Sequence, residues 1–460
     1  MVAGMSQRHI DEYLRPGVRA HLMGIGGVSM EPLAEVLTGM GVKVSGSDMQ
    51  DSQAVERLRS LGIQVFIGHD GDNVAGAELV IRTAAVHDDN PEIKAAHALG
   101  IPVFERAQAW GVIMKDYRHA LCVAGTHGKT TTTSMCTHIA LAAQADPTVM
   151  IGGTLPILGQ GYRVGEGDTI VMESCEYCNS FLSFFPTVAV ILNIEEDHLD
   201  FFEGLADIQK SFRAFADLVP AETGVVVANA EDANTMDALQ GLDRKVLTFG
   251  LERGDIRAAN LVWNKGLPTF DVVYEGQTYC SVTLQVPGLH NVKNALAACA
   301  AAIALGWDGQ AAAKGLAQFG GAGRRFEKLG QCNGAQVYDD YAHHPGEIRA
   351  LLEAVKDLGY DRVVCAFQPH TSTRTKALFD DFVEVLKLAD LAVLTDIYAA
   401  RETDDLGVSS AQLAEKIPGS LYFPSLADLA DGLRDLAKPG DLILLAGAGD
   451  VYTVGRTLCR

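Results

Sequence analysis

The feature that most constrains the fold is a glycine-rich loop that follows a short apolar segment. The segment at 120–124 is continuously apolar, and a helix-compatible run follows the loop. The loop residues are Gly125, Thr126, His127, Gly128, Lys129 and Thr130. Glycines let backbone N–H groups turn toward phosphate oxygens, and the first turn of the following helix adds partial positive charge. A strand, a loop of this kind and a helix predict an α/β domain that binds a nucleotide.

Two side chains of this loop point to ATP. Lys129 is placed to neutralise the β- and γ-phosphates, and the Thr130 hydroxyl is placed to bind Mg²⁺. We therefore predict ATP and Mg²⁺ as cofactors. The alternative is an ordinary strand-to-helix turn with a lysine on the surface.

The chain is acidic, which limits its partners. Among 460 residues, 37 are Lys or Arg and 58 are Asp or Glu, a net charge of −21. Such a surface repels nucleic acid and anionic membranes, so we expect neither as a partner. Anionic ligands must then be bound by local groups of Arg, Lys and backbone N–H. Nine scattered cysteines form no disulfide pattern, and residues 1–15 lack the apolar segment of a secretion signal, so we predict a cytoplasmic protein.

Strand-like apolar runs alternate with helical patterns along most of the chain, which predicts parallel sheets. These runs lie at 18–23, 42–44, 65–67, 79–81, 103–104, 120–124, 169–172, 188–192, 224–228, 363–367, 391–395 and 442–445. The segment 246–286 differs, because alternating apolar residues predict strand-rich structure before a helix from Asn291. Joints are predicted near Lys115-Asp116 and in the glycine-rich stretch 320–323. The predicted domains are 1–116, 117–322 and 323–460.

A carboxylate and an imidazole follow two strands of the central part. Glu173 ends the strand at 169–172, and His198 follows the strand at 188–192. We expect both at the carboxyl ends of adjacent parallel strands beside the phosphate loop, where α/β sheets bind ligands. There they could hold a second Mg²⁺ near the γ-phosphate. Glu176 competes with Glu173 for this role, and a loop hydrogen bond is the structural alternative for His198.

A second glycine-rich turn opens the first strand–helix unit. Gly24 and Gly26 fit the dinucleotide pattern G-x-G-x-x-G, but Ser29 stands at its third glycine. Asp48 follows the glycines at about the sequence separation at which an acidic residue binds a ribose hydroxyl in dinucleotide-binding domains. The turn predicts a diphosphate on a helix N-terminus, and an NAD-dependent oxidoreductase is one interpretation.

Further short motifs run along the chain. They are Gly24-Ile25-Gly26-Gly27, Ser45-Gly46-Ser47-Asp48, Gly68-His69, Asn90-Pro91-Glu92, Asn193 to Leu199, His290 to Asn294, Arg324-Arg325-Phe326, Asp339 to Pro345, Gln368-Pro369-His370 and Ala446 to Asp450. Together with the loop from Gly125 to Thr132, these motifs resemble those of the Mur ligases of peptidoglycan synthesis. They stand in the order of that family and cover nearly the whole chain.

The resemblance implies an α/β protein of three domains. These are a Rossmann-like domain that binds a UDP-sugar, a central phosphate-loop ATPase domain with a parallel sheet and a small antiparallel part, and a Rossmann-like C-terminal domain that closes over the amino acid. It also implies ATP-dependent ligation of L-alanine to the carboxylate of UDP-N-acetylmuramate through an acyl phosphate. Addition of a different amino acid or a peptide is a near alternative. We expect a monomer or a homodimer.

The resemblance also assigns roles to single residues. Catalytic roles fall to Lys129, His198, His343 and Arg374. Contacts with ATP fall to Gly125, Thr126, His127, Gly128, Lys129, Thr130, Thr131, Asn291, Arg324 and Asp340. Contacts with the other substrates fall to Gly26, Gly27, Asp48, His69, Arg325, Tyr341 and His344. The metal residues are Thr130, Glu173 and His198.

Several of these residues also have simpler interpretations. A single histidine such as His343 or His344 is often structural. The pair Arg324-Arg325 is typical of a solvated basic surface, and Asp339-Asp340 could cap the next helix.

Two departures from the family pattern leave alternatives open. Some members have an arginine after Gln-Pro-His where this chain has Thr371, which leaves Arg374 as the only arginine of that segment. Amino-acid selectivity is therefore open. Cys175-x-x-Cys178 fits either two ordinary thiols beside the metal site or a pair whose oxidation slows ATP turnover.

Overall fold

The computed structural model describes residues 9–83, 86–199, 201–400, 402 and 404–459. They form three α/β parts in chain order, each built on its own β-sheet. No helix among these residues is long and apolar enough to cross a membrane.

The N-terminal part is a parallel sheet with helical connections. Its strands are β1 (Arg19–Met23), β2 (Lys43–Asp48), β3 (Gln64–Ile67), β4 (Leu79–Arg82) and β5 (Val103–Glu105). Its helices are α1 (Glu31–Gly39), α2 (Gln53–Ser60), α3 (Pro91–Ala98) and α4 (Arg106–Met114). All neighbours pair in parallel in the order β3-β2-β1-β4-β5, which is the order of Rossmann-like domains and confirms that prediction.

The central part has a ten-stranded mixed sheet. Its strands are β6 (His119–Ala124), β7 (Thr148–Leu155), β8 (Gln160–Arg163), β9 (Thr169–Glu173), β10 (Val188–Ile191), β11 (Val225–Asn229), β12 (Lys245–Gly250), β13 (Ile256–Asn264), β14 (Leu267–Tyr274) and β15 (Gln277–Thr283). Its helices are α5 (Lys129–Ala142), α6 (Leu205–Asp217), α7 (Ala233–Ala238), α8 (Leu289–Ala304) and α9 (Gly309–Gln318). The strand order is β15-β14-β13-β12-β11-β10-β6-β9-β7-β8.

The central sheet is parallel in its middle and antiparallel at its edges. Strands β13, β14 and β15 pair antiparallel, which confirms the strand-rich prediction for 246–286. Strand β8 is antiparallel to β7 at the other edge. One prediction is wrong: the strands that lead to Glu173 and His198 are not adjacent. Strand β6 lies between β9 and β10, so the phosphate loop separates the two residues.

The C-terminal part has a six-stranded sheet. Its strands are β16 (Glu327–Cys332), β17 (Ala335–Asp340), β18 (Arg362–Phe367), β19 (Leu391–Thr395), β20 (Leu421–Phe423) and β21 (Asp441–Ala446). Its helices are α10 (Pro345–Lys356), α11 (Ser372–Ala377), α12 (Phe379–Leu386), α13 (Ser410–Lys416), α14 (Leu426–Leu436) and α15 (Tyr452–Leu458). In the order β16-β17-β21-β18-β19-β20, β16 is antiparallel to β17 and the other pairs are parallel.

The hydrophobic core is continuous across the first two parts and separate in the third. One cluster of buried side chains extends from Leu22 and Trp110 of the N-terminal part to Phe181 and Phe212 of the central part. The core clusters of the C-terminal part consist of residues between 332 and 458. Burial of apolar surface therefore holds the first two parts together, whereas the third packs mainly on itself.

Candidate active site

The phosphate loop lies at the centre of the ten-stranded sheet, between the end of β6 and the start of α5. Gly128 has a φ of 82°, and a Cβ at this position would lie 2.7 Å from Asn294 Oδ1. Only glycine meets both conditions without strain. The His127 N–H donates to Asn193 Oδ1 at 2.8 Å, which fixes the loop against the segment after β10. The first N–H groups of α5 remain available for phosphate oxygens.

Lys129 is the cation of this loop. Its Nζ lies 3.0 Å from Glu176 Oε2 and donates to the carbonyl oxygen of Thr126 at 3.1 Å. Burial lowers the pKa of Lys129, but the Glu176 carboxylate outweighs burial, so the pKa is raised overall. The ammonium is therefore charged across the physiological range, and a phosphate would compete with Glu176 for it.

Two carboxylates beside the loop, those of Glu173 and Glu176, contact different residues. Glu173 Oε1 accepts from the Thr130 hydroxyl at 2.9 Å, and Glu173 Oε2 accepts from the Gly152 N–H at 2.7 Å. Glu176 Oε1 lies 3.8 Å from His198 Nε2. Each carboxylate thus has its own partner. The oxygens of Thr130 and Glu173 suit Mg²⁺, and Glu176 with His198 forms a second position for a cation.

A cleft of about 260 Å³ lies between the central and C-terminal parts, next to the loop. Its lining includes His290, Asn291, Asn294, Arg325 and Asp340. Asn294 Nδ2 donates to Asn291 Oδ1 at 3.3 Å, so the two amides lie on one face of α8, as their spacing predicts. Amides, a guanidinium and a carboxylate on apolar walls suit the base and ribose of a nucleotide.

His127 bridges the central and C-terminal parts. Its Nε2 lies 3.2 Å from Glu195 Oε2, and its Nδ1 lies 3.2 Å from Glu347 Oε1 at the start of α10. Burial lowers the pKa of His127, but the two carboxylates outweigh burial and raise it to about 9. The imidazolium therefore forms an ion bridge between the two parts at neutral pH. The His344 ring packs on it, with centroids 4.8 Å apart.

A second ion pair crosses the same boundary. Arg374 Nη2 of α11 donates to Asp197 Oδ1 at 2.8 Å. Burial raises the pKa of Asp197, but the Arg374 guanidinium outweighs burial, so this pKa is lowered overall. The pair brings predicted Arg374 next to the His198 loop. A cavity of about 360 Å³ opens beside it, lined in part by Tyr177, His198 and Thr371.

His343 and His344 have different surroundings. The pKa of His343 is lowered to about 3, mainly by burial, so its ring is neutral at pH 7. His344 is the N-cap of α10, where its Nδ1 accepts from the Gly346 N–H at 3.3 Å. The possibility that Asp339 or Asp340 caps this helix is therefore wrong.

The side chains of the adjacent residues Arg324 and Arg325 have different contacts. Arg324 Nε donates to Asp339 Oδ2 at 3.0 Å, and its other nitrogens donate to the carbonyl oxygens of Gly447 and Gly449. These contacts tie strand ends together and engage the Arg324 guanidinium within the C-terminal part. Arg325 lies in the cleft lining instead.

One aromatic residue, Tyr341, and one acidic residue, Asp340, lie next to the two arginines. Tyr341 lies under both guanidinium groups, with centroid distances of 4.9 Å from Arg324 and 5.1 Å from Arg325. Burial raises the pKa of Asp340 to about 6, although Arg325 opposes this shift. Asp340 accepts from the Phe326 and Ala342 N–H groups, so its carboxylate is held in place at the cleft.

The predicted substrate residues of the N-terminal part form two groups. Asp48 Oδ2 accepts from the Gly26 N–H at 2.9 Å, so this carboxylate holds the glycine turn that includes Gly27. His69 Nδ1 lies 3.1 Å from Glu92 Oε2, and Glu92 is fully buried. The structure thus fixes the orientation of the His69 ring.

The two cysteines lie on the turn that carries Glu176. Desolvation and the neighbouring Glu176 charge raise the pKa of the Cys175 thiol to about 11. A thiol of this kind is mostly protonated at neutral pH and reacts slowly with oxidants. Cys178 has a φ of 53° in the same turn.

Sequence reasoning missed three acidic residues of the site: Asp197, Glu195 and Glu347. Asp197 and Glu195 stand within the motif 193–199, and Glu347 stands four residues after His343. Their roles depend on contacts between separate parts of the chain, which spacing does not reveal.

Comparisons with known proteins agree with this arrangement. Three family models match consecutive stretches: Mur ligase family, catalytic domain, at 19–118; Mur ligase middle domain at 123–302; and Mur ligase, glutamate ligase domain, at 324–449. A UDP-N-acetylmuramate--L-alanine ligase from Clostridium novyi is 45% identical over 441 residues, which are 95% of this chain and 96% of that protein.

Two solved structures have the same architecture. The UDP-N-acetylmuramate-alanine ligase from Thermotoga maritima has a TM-score of 0.80 and 30% identity, and the match covers 96% of this chain and 98% of that chain. A murein peptide ligase from Psychrobacter arcticus has a TM-score of 0.73 and 25% identity, with the same coverages of 96% and 98%.

The fold and the site define a three-domain α/β enzyme whose phosphate loop lies beside a cleft between the central and C-terminal parts. Full-length similarity to a named ligase and the three consecutive family matches make the class specific. The chain belongs to the Mur ligase family. The alternative of an NAD-dependent oxidoreductase is therefore wrong.

Proposed function

We propose that this protein joins L-alanine to the carboxylate of UDP-N-acetylmuramate at the expense of ATP, in the synthesis of peptidoglycan precursors. The observation that carries the proposal is 45% identity over 95% of the chain to a ligase of that name. The geometry supports it, because Lys129, Thr130 and the two flanking carboxylates stand where a triphosphate would end. The division into 1–116, 117–322 and 323–460 belongs to the same proposal.

The first step activates the acid. A carboxylate oxygen of the muramyl group attacks the γ-phosphorus, ADP leaves, and an acyl phosphate forms. Lys129 neutralises the transferring phosphoryl group, and the N–H groups at the start of α5 hold the phosphates. When bound, Mg²⁺ offsets further charge on the phosphates, and Thr130, Glu173 and His198 are the residues that would hold it.

The second step forms the amide bond. The neutral amine of L-alanine attacks the acyl carbon, and inorganic phosphate leaves from the tetrahedral intermediate with loss of one amine proton. Arg374 lies beside the His198 loop and can offset charge on this intermediate. His343 is neutral and orients its neighbours by hydrogen bonding. Arg325 and Asp340 contact the nucleotide from the C-terminal side of the cleft, and Asn291 of α8 contacts it from the central side.

A second candidate is ligation of a peptide in place of L-alanine. The cavity beside Arg374 has a volume of about 360 Å³, which is more than a single alanine requires. The murein peptide ligase from Psychrobacter arcticus shares the architecture. Thr371, where some relatives have arginine, lines this cavity.

The experiment that separates the candidates is phosphate release from ATP with UDP-N-acetylmuramate and a panel of acceptors. The panel contains L-alanine, glycine, L-serine and a tripeptide. We expect the highest kcat/KM with L-alanine. Preference for the tripeptide would replace this proposal by the second candidate, and no release with any acceptor would contradict both.

A further inference from the structure

Arg106 lies between helix α4 and the glycine turn 24–29, and the proposed mechanism assigns it no role. It is the first residue of α4, and its Nη1 donates to the hydroxyl of Ser29, at the end of the glycine turn 24–29. One turn further, Trp110 Nε1 donates to the Ser29 carbonyl oxygen at 3.3 Å. The side chain is thus held against the turn that the sequence predicts to bind a diphosphate.

Helix α4 packs against the central part of the protein. A Cβ at Gly111 would lie 1.9 Å from the carbonyl oxygen of Ser183, so α4 lies directly on the 3-10 segment Tyr177–Ser183. This segment follows the turn that carries Glu173 and Glu176. Arg106 also lies near Cys175 of that turn, whose thiolate would raise the pKa of Arg106. Arg106 therefore lies between the glycine turn and the phosphate-transfer site.

Burial of Arg106 disfavours its cation, and the neighbouring Cys175 and Glu105 offset this effect only in part. Within the described part of the chain its guanidinium forms no ion pair, whereas nearby Arg82 pairs with both Asp88 and Glu105. The first turn of a helix carries partial positive charge, which repels a cation at Arg106. Burial lowers the pKa of Arg106, yet a guanidinium remains protonated at neutral pH. A partly buried cation without an ion-pair partner is costly unless a ligand supplies the counter-charge.

We propose that Arg106 binds an anionic group of the sugar nucleotide, either its diphosphate or its muramyl carboxylate. The identity of the ligand rests on the proposed function. A guanidinium binds two oxygens of either group at once. The protein carries a net charge of −21, which repels an anionic ligand. The cation of Arg106 offsets this repulsion locally.

The test is calorimetric binding of three ligands to the full-length protein and its variants. UDP and UDP-N-acetylglucosamine carry the diphosphate without the carboxylate, and UDP-N-acetylmuramate carries both. We expect Arg106→Gln to weaken binding of UDP-N-acetylmuramate about 10- to 100-fold, as for loss of a charge-assisted hydrogen-bond pair. An equal loss for all three ligands assigns the diphosphate, and a loss confined to UDP-N-acetylmuramate assigns the carboxylate. Arg106→Lys keeps the charge and should lose less.

Two controls separate binding from simple support of the turn. Arg118→Gln removes the same charge from an exposed position and should leave all affinities unchanged. Ser29→Ala removes the hydrogen-bond partner of Arg106 but keeps its charge. Unchanged affinity in Arg106→Gln would overturn the proposal. So would Ser29→Ala that loses as much affinity as Arg106→Gln, with no further loss in the double variant.

The outcome for Arg106 is distinguishable from the outcome for the proposed function. A wild-type protein that binds UDP-N-acetylmuramate but releases no phosphate with any acceptor would contradict the proposed function alone. In that protein the affinity loss of Arg106→Gln still supports the anion contact. A wild-type protein that binds none of the three ligands would contradict both.

Discussion

The two boundaries between the parts of this protein are built in opposite ways. The boundary between the N-terminal and central parts is apolar and continuous with the core, and α4 lies directly on the central part at Gly111. The boundary between the central and C-terminal parts is crossed by ion pairs, such as those of His127 with Glu347 and of Asp197 with Arg374. Cavities of about 260 and 360 Å³ open along the second boundary.

This difference indicates which boundary moves. Apolar packing at native density resists sliding, because any displacement opens voids. Ion pairs can be exchanged for contacts with a charged ligand or with water, and their net contribution is small. We infer that the N-terminal and central parts form one rigid unit, and that the C-terminal part opens to admit nucleotide and closes for the reaction.

The largest effect is expected at the phosphate loop, beside the movable boundary. Lys129→Ala should lower kcat/KM by about 3 kcal/mol, because a preorganised cation for the transferring phosphoryl group is lost. The exposed lysine of α9 provides a matched control, and Lys314→Ala should leave kcat/KM unchanged. Near-normal turnover in Lys129→Ala would show that the loop does not act in phosphoryl transfer.

The next effect tests the rigid boundary. Gly111→Ala should lower the free energy of unfolding by about 2 kcal/mol, because its Cβ would overlap the Ser183 carbonyl oxygen. The matched substitution at the movable boundary is Gly346→Ala, where the nearest atom lies 3.4 Å from the new Cβ. Urea denaturation compares the two. Equal losses of stability would show that the boundaries do not differ in packing.

A smaller effect is expected from the ion bridge. Glu347→Gln removes the carboxylate that contacts His127 from the C-terminal side, at a cost of about 1 kcal/mol. The nucleotide-free protein should then be more open, with a larger radius of gyration in small-angle scattering. Glu353→Gln, on an exposed face of the same helix, is the control. An unchanged radius of gyration in Glu347→Gln would show that the bridge does not hold the C-terminal part against the central part.

The smallest effect is a pH dependence of the same bridge. The pKa of His127 is raised to about 9, so the bridge is fully formed below about pH 6.5, the ordinary histidine value, and is lost as the pH rises through 9. The groups that face His127 are Glu195, Glu347 and the His344 ring. The radius of gyration should rise between pH 6.5 and 9.5 in the wild type. A profile equally steep in Glu347→Gln would assign the transition to another group.

The sequence predicts the rigid parts of this molecule better than the movable ones. The strand at 120–124, the loop and α5 are local in sequence, and their chemistry follows from residue type. The sequence pattern does not predict β7 or the edge strand β8; in β8, polar and glycine residues such as Gln160 and Gly161 interrupt the apolar pattern.

The site is predictable where its residues end or follow strands, as for Glu173 at the end of β9 and His198 in the segment after β10. The order of the strands is not, since β6 enters between β9 and β10 only through long-range pairing. The bridge of His127 to Glu347 joins residues more than 200 positions apart and leaves no periodic signal. Ion pairs of this kind, between separate domains, can be identified only from the structure.

The proposed function requires that a carboxylate of the substrate is activated by phosphorylation on the Lys129 loop. The direct measurement uses UDP-N-acetylmuramate labelled with oxygen-18 in its carboxylate, together with ATP and L-alanine, and mass analysis of the released phosphate. Attack of the carboxylate on the γ-phosphorus transfers one labelled oxygen, so we predict one oxygen-18 atom in each phosphate at full labelling. Release of unlabelled phosphate in step with amide formation would contradict the account.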